Sequence, residues 1–456
     1  MEKLLEFKER ICKSELFKKL ANFLNKFYSS DLYIITLFII AIINWKFKLI
    51  WLVVITYSIF IFLIYFFKLT KLKLLPIAIS LIIAIRYDLI NNYFLPLLIV
   101  ASILSIVFII NFIRKRPKIN NGIFLGMLFI LFSMIFSLVN TPVLTDSMKA
   151  IGLWSFYTIL YLYLLNLDDI IENKKTARFY LAKVFVYLSL AVFIEVVIYY
   201  LEYGLGENII RFYGSNDVHF GWANTTTVAT LYLLIMPILL YYYTLDQKKY
   251  YLLLIVGLNL AILHLMLSRG AYLAMIILGL PLLLKIVSDV KHKTNFIITL
   301  IYLTIIALLI ILLVAIPTGY IKEFFDFLSS KGLSIEDIEL ISRIGFRVFQ
   351  RYPLLGAGAN SANYYISIAI DNRFYDNFVI ETLANMGLVG LISFGYYLYQ
   401  IVRYCIKKNK YNSYVLIVVI AIIIQGLMET TFYNPLVMII LVFIFPLLET
   451  EKDILE

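Results

Sequence analysis

Charge is what this sequence has least of. Only 15% of its 456 residues are charged and 62% are hydrophobic, against about 25% and 45–50% in soluble domains. A globule cannot hide that much apolar side chain, so the solvent for most of the chain is lipid. A soluble enzyme and a disordered protein are excluded. Cysteine is nearly absent. Cys12 and Cys405 are the two, and neither lies in a motif. That excludes a disulfide-stapled secreted domain and predicts free thiols. No internal repeat is visible, which weighs against a repeat-built transporter. No cleavable signal peptide is expected. The net charge of +11 would suggest nucleic acid in a soluble protein. Here membrane loops account for it, and no nucleic-acid partner is expected.

What is present is a series of apolar runs long enough to cross a bilayer, which takes about 17–25 residues. They fall at roughly 32–45, 48–67, 74–90, 93–113, 122–140, 148–167, 179–203, 225–245, 250–267, 270–290, 295–316, 377–402, 413–428 and 433–448. The runs are continuous rather than alternating, so helices and not a β-barrel are expected. The predicted fold is an all-α integral membrane bundle of about fourteen transmembrane helices, within 12–14, with a long extracytoplasmic loop that contains helices. Residues 1–30 read as a cytoplasmic amphipathic helix on the inner leaflet, with Leu4, Phe7, Ile11, Leu20, Phe23, Leu24 and Phe27 at helical spacing. Residues 31–316 hold the first eleven spans, 317–376 the large outer loop, 377–448 the C-terminal spans and 449–456 a cytoplasmic tail. Lys and Arg crowd the loops 68–73, 114–118, 174–183, 248–249, 285–293 and 403–410, together with the N-terminal segment. The positive-inside rule therefore places both termini in the cytoplasm and the long loop outside the cell membrane.

The outer segments carry the polar chemistry. Segment 204–224 holds Arg211, Asp217 and His219 between two spans. The turn Ser268-Arg269-Gly270 leaves Arg269 at the membrane surface, where a cation either snorkels or serves a ligand. In the long loop, Ser334-Ile335-Glu336-Asp337 resembles a cap with acidic residues in the first turn of a helix over about 335–352. That helix sets Arg343, Arg347 and Arg351 on one stripe beside Ile338, Ile341, Ile344 and Val348. Guanidinium forks match phosphate oxygens. The alternatives are a solvated basic face, or pairing to Glu336, Glu339 and Asp371. Tyr352-Pro353 stops the helix, and Gly356 and Gly358 read as turn glycines. Asp376-Asn377 precedes a span and is either a plain cap or a functional pair. Asp168-Asp169 falls on the cytoplasmic side, as does His292, which reads as solvated. His264 reads as a packing residue, Glu195 and Arg86 as a buried pair or a transport path, and Gly122 with Gly126 as a helix-packing face.

Ser268-Arg269-Gly270-Ala271 at the head of an apolar helix resembles a hallmark of the O-antigen ligase/polymerase superfamily. So does the later block from Arg343 through Pro353, Gly356 and Gly358 to Asp376-Asn377, Glu381 and Met386-Gly387-Leu388-Val389-Gly390, and so does the Arg-x-x-Gly pattern at Arg211. The resemblance covers roughly residues 205–400. It implies a GT-C-like multi-span glycosyltransferase working on the outer face. Such proteins transfer a glycan from a polyprenyl-diphosphate carrier to an acceptor hydroxyl, of another lipid-linked repeat in a polymerase and of a lipid A core or a protein in a ligase, in some cases beside a chain-length regulator. Where many ligases carry His-Asn, this chain has Asp376-Asn377, which favours a polymerase over a ligase. Asp376, Arg269 and Arg211 are the catalytic candidates. Arg343, Arg347, Arg351, Asn377 and His219 are the substrate-binding ones. A flippase of a lipid-linked glycan is a further alternative, disfavoured because the polar clusters lie at the rim. Metal-using membrane glycosyltransferases typically place acidic residues in the first outer loop. Here that loop is Asn44-Trp45-Lys46-Phe47-Lys48, so metal-independent, inverting chemistry with no cofactor is expected. Tyr213, Trp222, Tyr352, Tyr364 and Tyr375 are candidates to stack sugars.

Overall fold

The computed structural model describes residues 15–67, 69–84, 121–167, 170, 173–205, 209–214, 218–310, 322, 335–367, 375, 377–407, 409–429 and 431–448. The α-helices, in order, are α1 (Glu15–Ser29), α2 (Asp31–Phe47), α3 (Ile50–Phe66), α4 (Leu75–Ile83), α5 (Gly122–Ser137), α6 (Leu144–Leu165), α7 (Lys174–Tyr203), α8 (Ile209–Gly214) and α9 (Thr225–Leu245). They continue with α10 (Tyr251–Leu265), α11 (Arg269–Asp289), α12 (Lys293–Ile310), α13 (Ile335–Arg351), α14 (Ala362–Ile366), α15 (Phe378–Cys405), α16 (Lys410–Gly426) and α17 (Pro435–Ile444). The run expected at 93–113, much of the loop 317–376, Arg86, Asp168, Asp169 and Cys12 lie outside the described residues. Six described helices are long and apolar enough to cross a membrane: Gly122–Asn140, Leu144–Leu165, Lys174–Tyr203, Thr225–Leu245, Arg269–Asp289 and Phe378–Cys405. A seventh is counted if Lys19–Ser29 and Asp31–Phe47, bent by 67°, form one span. Ile50–Phe66, Tyr251–Leu265, Lys410–Gly426 and Pro435–Leu447 are shorter apolar helices. This is a helical membrane protein.

The chain divides into two compact units, residues 1–114 with 167–195, and residues 115–166 with 196–456. In the first, two buried polar side chains are satisfied within the protein, as a lipid environment favours. The Tyr33 hydroxyl donates to the Lys73 carbonyl at 2.9 Å, and the Lys73 ammonium donates to Asn25 Oδ1 at 2.6 Å. Leu20 and Phe23 on α1 stay exposed, leaving an apolar face on the amphipathic helix. The expected outer loop 44–48 is mostly helix instead. Asn44 and Trp45 are buried in the last turns of α2, and the reversal is made by Lys48 at φ 59° and Leu49.

In the second unit α9 is the central helix, and every residue from Thr227 to Thr244 is buried. Such a helix is apolar on all sides because it has no water-facing side. The expected glycine face on α5 is used against α15. A Cβ at Gly126 would lie 2.8 Å from Tyr397 Cα. The expected apolar stripe of α13 is also used. Ile341 and Val348 are buried in one cluster with Ala362, Tyr375 and Ala384.

Helix α15 is broken at Gly387, which sits at φ 64°. The break leaves four peptide groups without helical partners, and the segment after α13 supplies them. Ala357 N–H donates to the Ala384 carbonyl at 2.8 Å and Gly358 N–H to Asn385 at 3.0 Å. In return Leu388 N–H donates to Pro353 at 2.9 Å and Val389 N–H to Leu354 at 3.2 Å. Residues 353–361 thus form a strap laid into the break. Gly356 and Gly358, at φ 73° and 108°, make its turns as expected.

Candidate functional site

Four helices of the second unit begin at one end of it, each with a polar cap. Asn224 accepts from Thr227 N–H at the head of α9. Ser268 accepts from Ala271 N–H at the head of α11. Asn377 accepts from Val379 and Ile380 N–H at the head of α15, and Asn434 from Leu436 N–H at the head of α17. A helix start carries about half a positive charge and unpaired N–H groups, so the four together favour anions.

The connection from α16 to α17 ties these starts together. Ser268 Oγ donates to Glu429 Oε1 at 2.8 Å. Gln425 Nε2 donates to Glu429 Oε2 at 2.8 Å and to Thr230 Oγ1 at 2.7 Å. Asn434 Nδ2 donates to Thr227 Oγ1 at 2.6 Å, and Asn377 Nδ2 to the Leu427 carbonyl at 2.9 Å. The Ser268-Arg269-Gly270 motif thereby has a physical reading. Ser268 caps α11 and binds Glu429. Gly270 lets α11 approach α16, since a Cβ there would lie 2.8 Å from Gln425 Cγ. Arg269, the first residue of α11, is exposed at this rim.

Asn377 and Arg269 therefore border the same hub. Asp376 lies outside the described residues, so the cap expected there is seen only as Asn377. Arg211 lies in α8, and its side chain is outside the described set, as is Asp217. His219 is exposed and bridges to Asn224 next to the start of α9. Arg343, Arg347 and Arg351 are exposed on α13. Arg343 is ion-paired with Glu339, the bland alternative for that residue. Arg351 lies over the Tyr352 ring, its Cζ 5.4 Å from the centroid.

Two of the aromatic candidates are corrected. Tyr213 is 1% exposed, donates its hydroxyl to the Val196 carbonyl and packs on Tyr200 and Phe220. Tyr375 is also 1% exposed, inside the cluster under α13. Neither ring has a free face for a sugar. Burial, and then the charge of Glu381, push the Tyr375 hydroxyl above its ordinary pKa, so it stays neutral. Tyr364 is exposed and Tyr352 half-buried. His264 is the expected packing residue, bonded through Nδ1 to the Tyr272 hydroxyl at 2.9 Å. Glu195 is fully buried. Cys405 is a buried free thiol. Among the described residues no three His, Cys, Asp or Glu side chains are grouped to hold a metal ion.

The sequence reading missed Gln425, Glu429, Thr230 and Asn434. One signal was available: Gln425, Glu429 and three threonine or asparagine residues stand within 425–434, between two otherwise apolar runs.

Residues 252–395 match the family model described as O-antigen ligase. The match spans the Ser268–Gly270 motif, α13, the strap and the break in α15, and it supports the O-antigen ligase/polymerase superfamily. No curated protein matches the chain.

Proposed function

We propose that this chain, with its O-antigen ligase domain, polymerises polyprenyl-diphosphate-linked oligosaccharide repeats on the outer face of the cell membrane. The observation that carries this reading is the rim itself: four helix starts and Arg269 converge on the Gln425–Glu429 hub. The acceptor hydroxyl oxygen forms a bond to the anomeric carbon of the donor. The bond from that carbon to the diphosphate oxygen breaks, and the lipid diphosphate leaves with the electron pair. Negative charge then grows where the helix starts and Arg269 stabilise it. Arg211 is the second cation assigned to the diphosphate. A single displacement inverts the anomeric carbon. The hydroxyl proton passes to a carboxylate, for which Asp376 is the candidate. A free Asp, with a pKa of about 3.9, is a weak base at neutral pH, so it first orients the hydroxyl and takes the proton only as the new bond to carbon makes that oxygen acidic. No metal is assigned, because no carboxylate stands at the first outer connection.

Glu429 is a positioning residue in this scheme, since both its oxygens hold the head of α11 and Gln425. Glu429→Gln sets an amide donor against a donor. It is expected to raise the apparent KM for the lipid-linked donor about tenfold, the lower range for one hydrogen bond to a charged group, with the acceptor KM unchanged. An equal change in both would reduce Glu429 to a structural role.

The direct test uses the purified chain in lipid nanodiscs with a single lipid-linked repeat as sole substrate. A product ladder spaced by one repeat is expected. Transfer that occurs only when lipid A core or an acceptor protein is added would replace the polymerase reading with a ligase, which Asn377 and the same rim would also serve.

A further inference from the structure

Between the α5–α6 connection and the end of α13 lies an open cleft of about 420 Å³, lined by Asn140, Thr141, Arg351, Tyr352, Tyr364 and Tyr365 among others. Its volume is within the range of about 300–1,000 Å³ typical of small-molecule sites. We propose that it is a subsite for a carboxylated sugar residue of the acceptor glycan. This rests on the transferase reading for the identity of the glycan, and on the cleft alone for its chemistry.

The cleft is built rather than left over. The strap is pinned to its floor: Asn140 Nδ2 donates to the Gly356 carbonyl at 3.0 Å, and Ser147 Oγ donates to the Ala359 carbonyl at 2.7 Å. A Cβ at Gly358 would meet the Thr141 side chain, so the glycine sets how close the two walls come. Tyr352 and Tyr365 are half-buried and pack against the apolar cluster under α13. The Tyr364 and Tyr365 rings meet edge to face at 5.1 Å. The rings are therefore held, and Tyr364 remains 47% exposed.

Among the described lining residues one is charged, Arg351, and its charge is positive. Arg343 on the same helix stripe has a carboxylate partner in Glu339. Among the described residues Arg351 has none. Its guanidinium lies over Tyr352 instead, Cζ 5.4 Å from the ring centroid, a cation–π contact that leaves the N–H groups able to donate to a ligand. A guanidinium fork matches a carboxylate with two parallel hydrogen bonds. Aromatic faces take the C–H face of a sugar ring, and the Asn140 Oδ1 can accept from a hydroxyl. A bare phosphate would use the arginine and leave three phenols without a role. A neutral sugar would use the phenols and leave the arginine without one. A uronic acid uses both.

The test is saturation-transfer NMR on the full chain in nanodiscs, with glucuronic acid, glucose and inorganic phosphate as probes. Binding needs no turnover, so the outcome is separable from that of the transferase reading. Glucuronate is expected to receive several-fold more saturation than glucose. Arg351→Gln should weaken glucuronate about tenfold, to the level of glucose, and Tyr364→Ala should lower both. Both positions are exposed, so either variant can carry the test if the other fails to fold. Equal signals from glucose and glucuronate would overturn the proposal. So would full displacement of glucuronate by equimolar phosphate, or an unchanged signal in both variants.

Discussion

Arg269→Ala is expected to lower turnover at least about a hundredfold at normal expression, the scale of removing one donor from a developing oxyanion. The physical case is local. Arg269 is the first residue of α11, where the helix start already favours an anion. The substitution keeps the Ser268 cap, the Ser268–Glu429 bond and the Gly270 contact with Gln425. The side chain is exposed, and expression level and monodispersity measured beside the rate separate a loss of chemistry from a loss of folding. Arg269→Lys retains the charge but not the planar fork, and about a tenfold loss is expected. The measurement is the initial rate of glycan transfer in nanodiscs. Near-normal turnover of Arg269→Ala would remove the diphosphate role and leave a snorkelling arginine.

The second large effect is on the fold. Gly387→Ala is expected to abolish recovery of monodisperse protein, read by size-exclusion chromatography after detergent extraction. Gly387 sits at φ 64° and ψ −158°, a region essentially restricted to glycine, where a residue with a Cβ costs about 1–3 kcal/mol. The added carbon would also collide with the Leu354 carbonyl, which must stay close because it accepts from Val389 N–H. Pushing the strap away exposes the four peptide groups of the break, each worth roughly 1 kcal/mol in net terms and more when no water replaces the partner. Gly395 on the same helix is the control. A Cβ there meets nothing within 4 Å, so Gly395→Ala should be neutral or slightly stabilising. A monodisperse, active Gly387→Ala protein would mean that the strap does not hold the break.

Several of these features are legible in the residues. The α13 stripe follows from spacing alone, because apolar residues three and four apart must share a face, and Ile341 and Val348 are buried. Gly356 and Gly358 read as turns because nothing else accommodates positive φ so readily. The packing role of Gly122 and Gly126 follows from the small-residue rule in membranes. The break at Gly387 is not legible, since Met386-Gly387-Leu388 looks like an ordinary stretch of an apolar helix. Only the strap, more than twenty residues earlier, makes it intelligible. Tyr213 and Tyr375 illustrate a different limit. In a chain with 35 tyrosines the residue type carries little information, and burial decided both. Glu429 was hidden because its partners, Ser268 and Gln425, come from separate helices.

The central claim is that a lipid-linked glycan repeat is the substrate and that this chain joins such repeats. Mass spectrometry of polyprenyl-diphosphate-linked glycans, in cells from which the gene is deleted, tests it without knowledge of the sugar. The account predicts that single repeats accumulate on the outer leaflet and that longer lipid-linked chains disappear, with Arg269→Ala reproducing the pattern. Long lipid-linked chains beside an unmodified final acceptor would contradict polymerisation in favour of ligation. Single repeats held on the cytoplasmic leaflet would indicate a flippase, and an unchanged lipid pool would contradict the lipid-linked donor altogether.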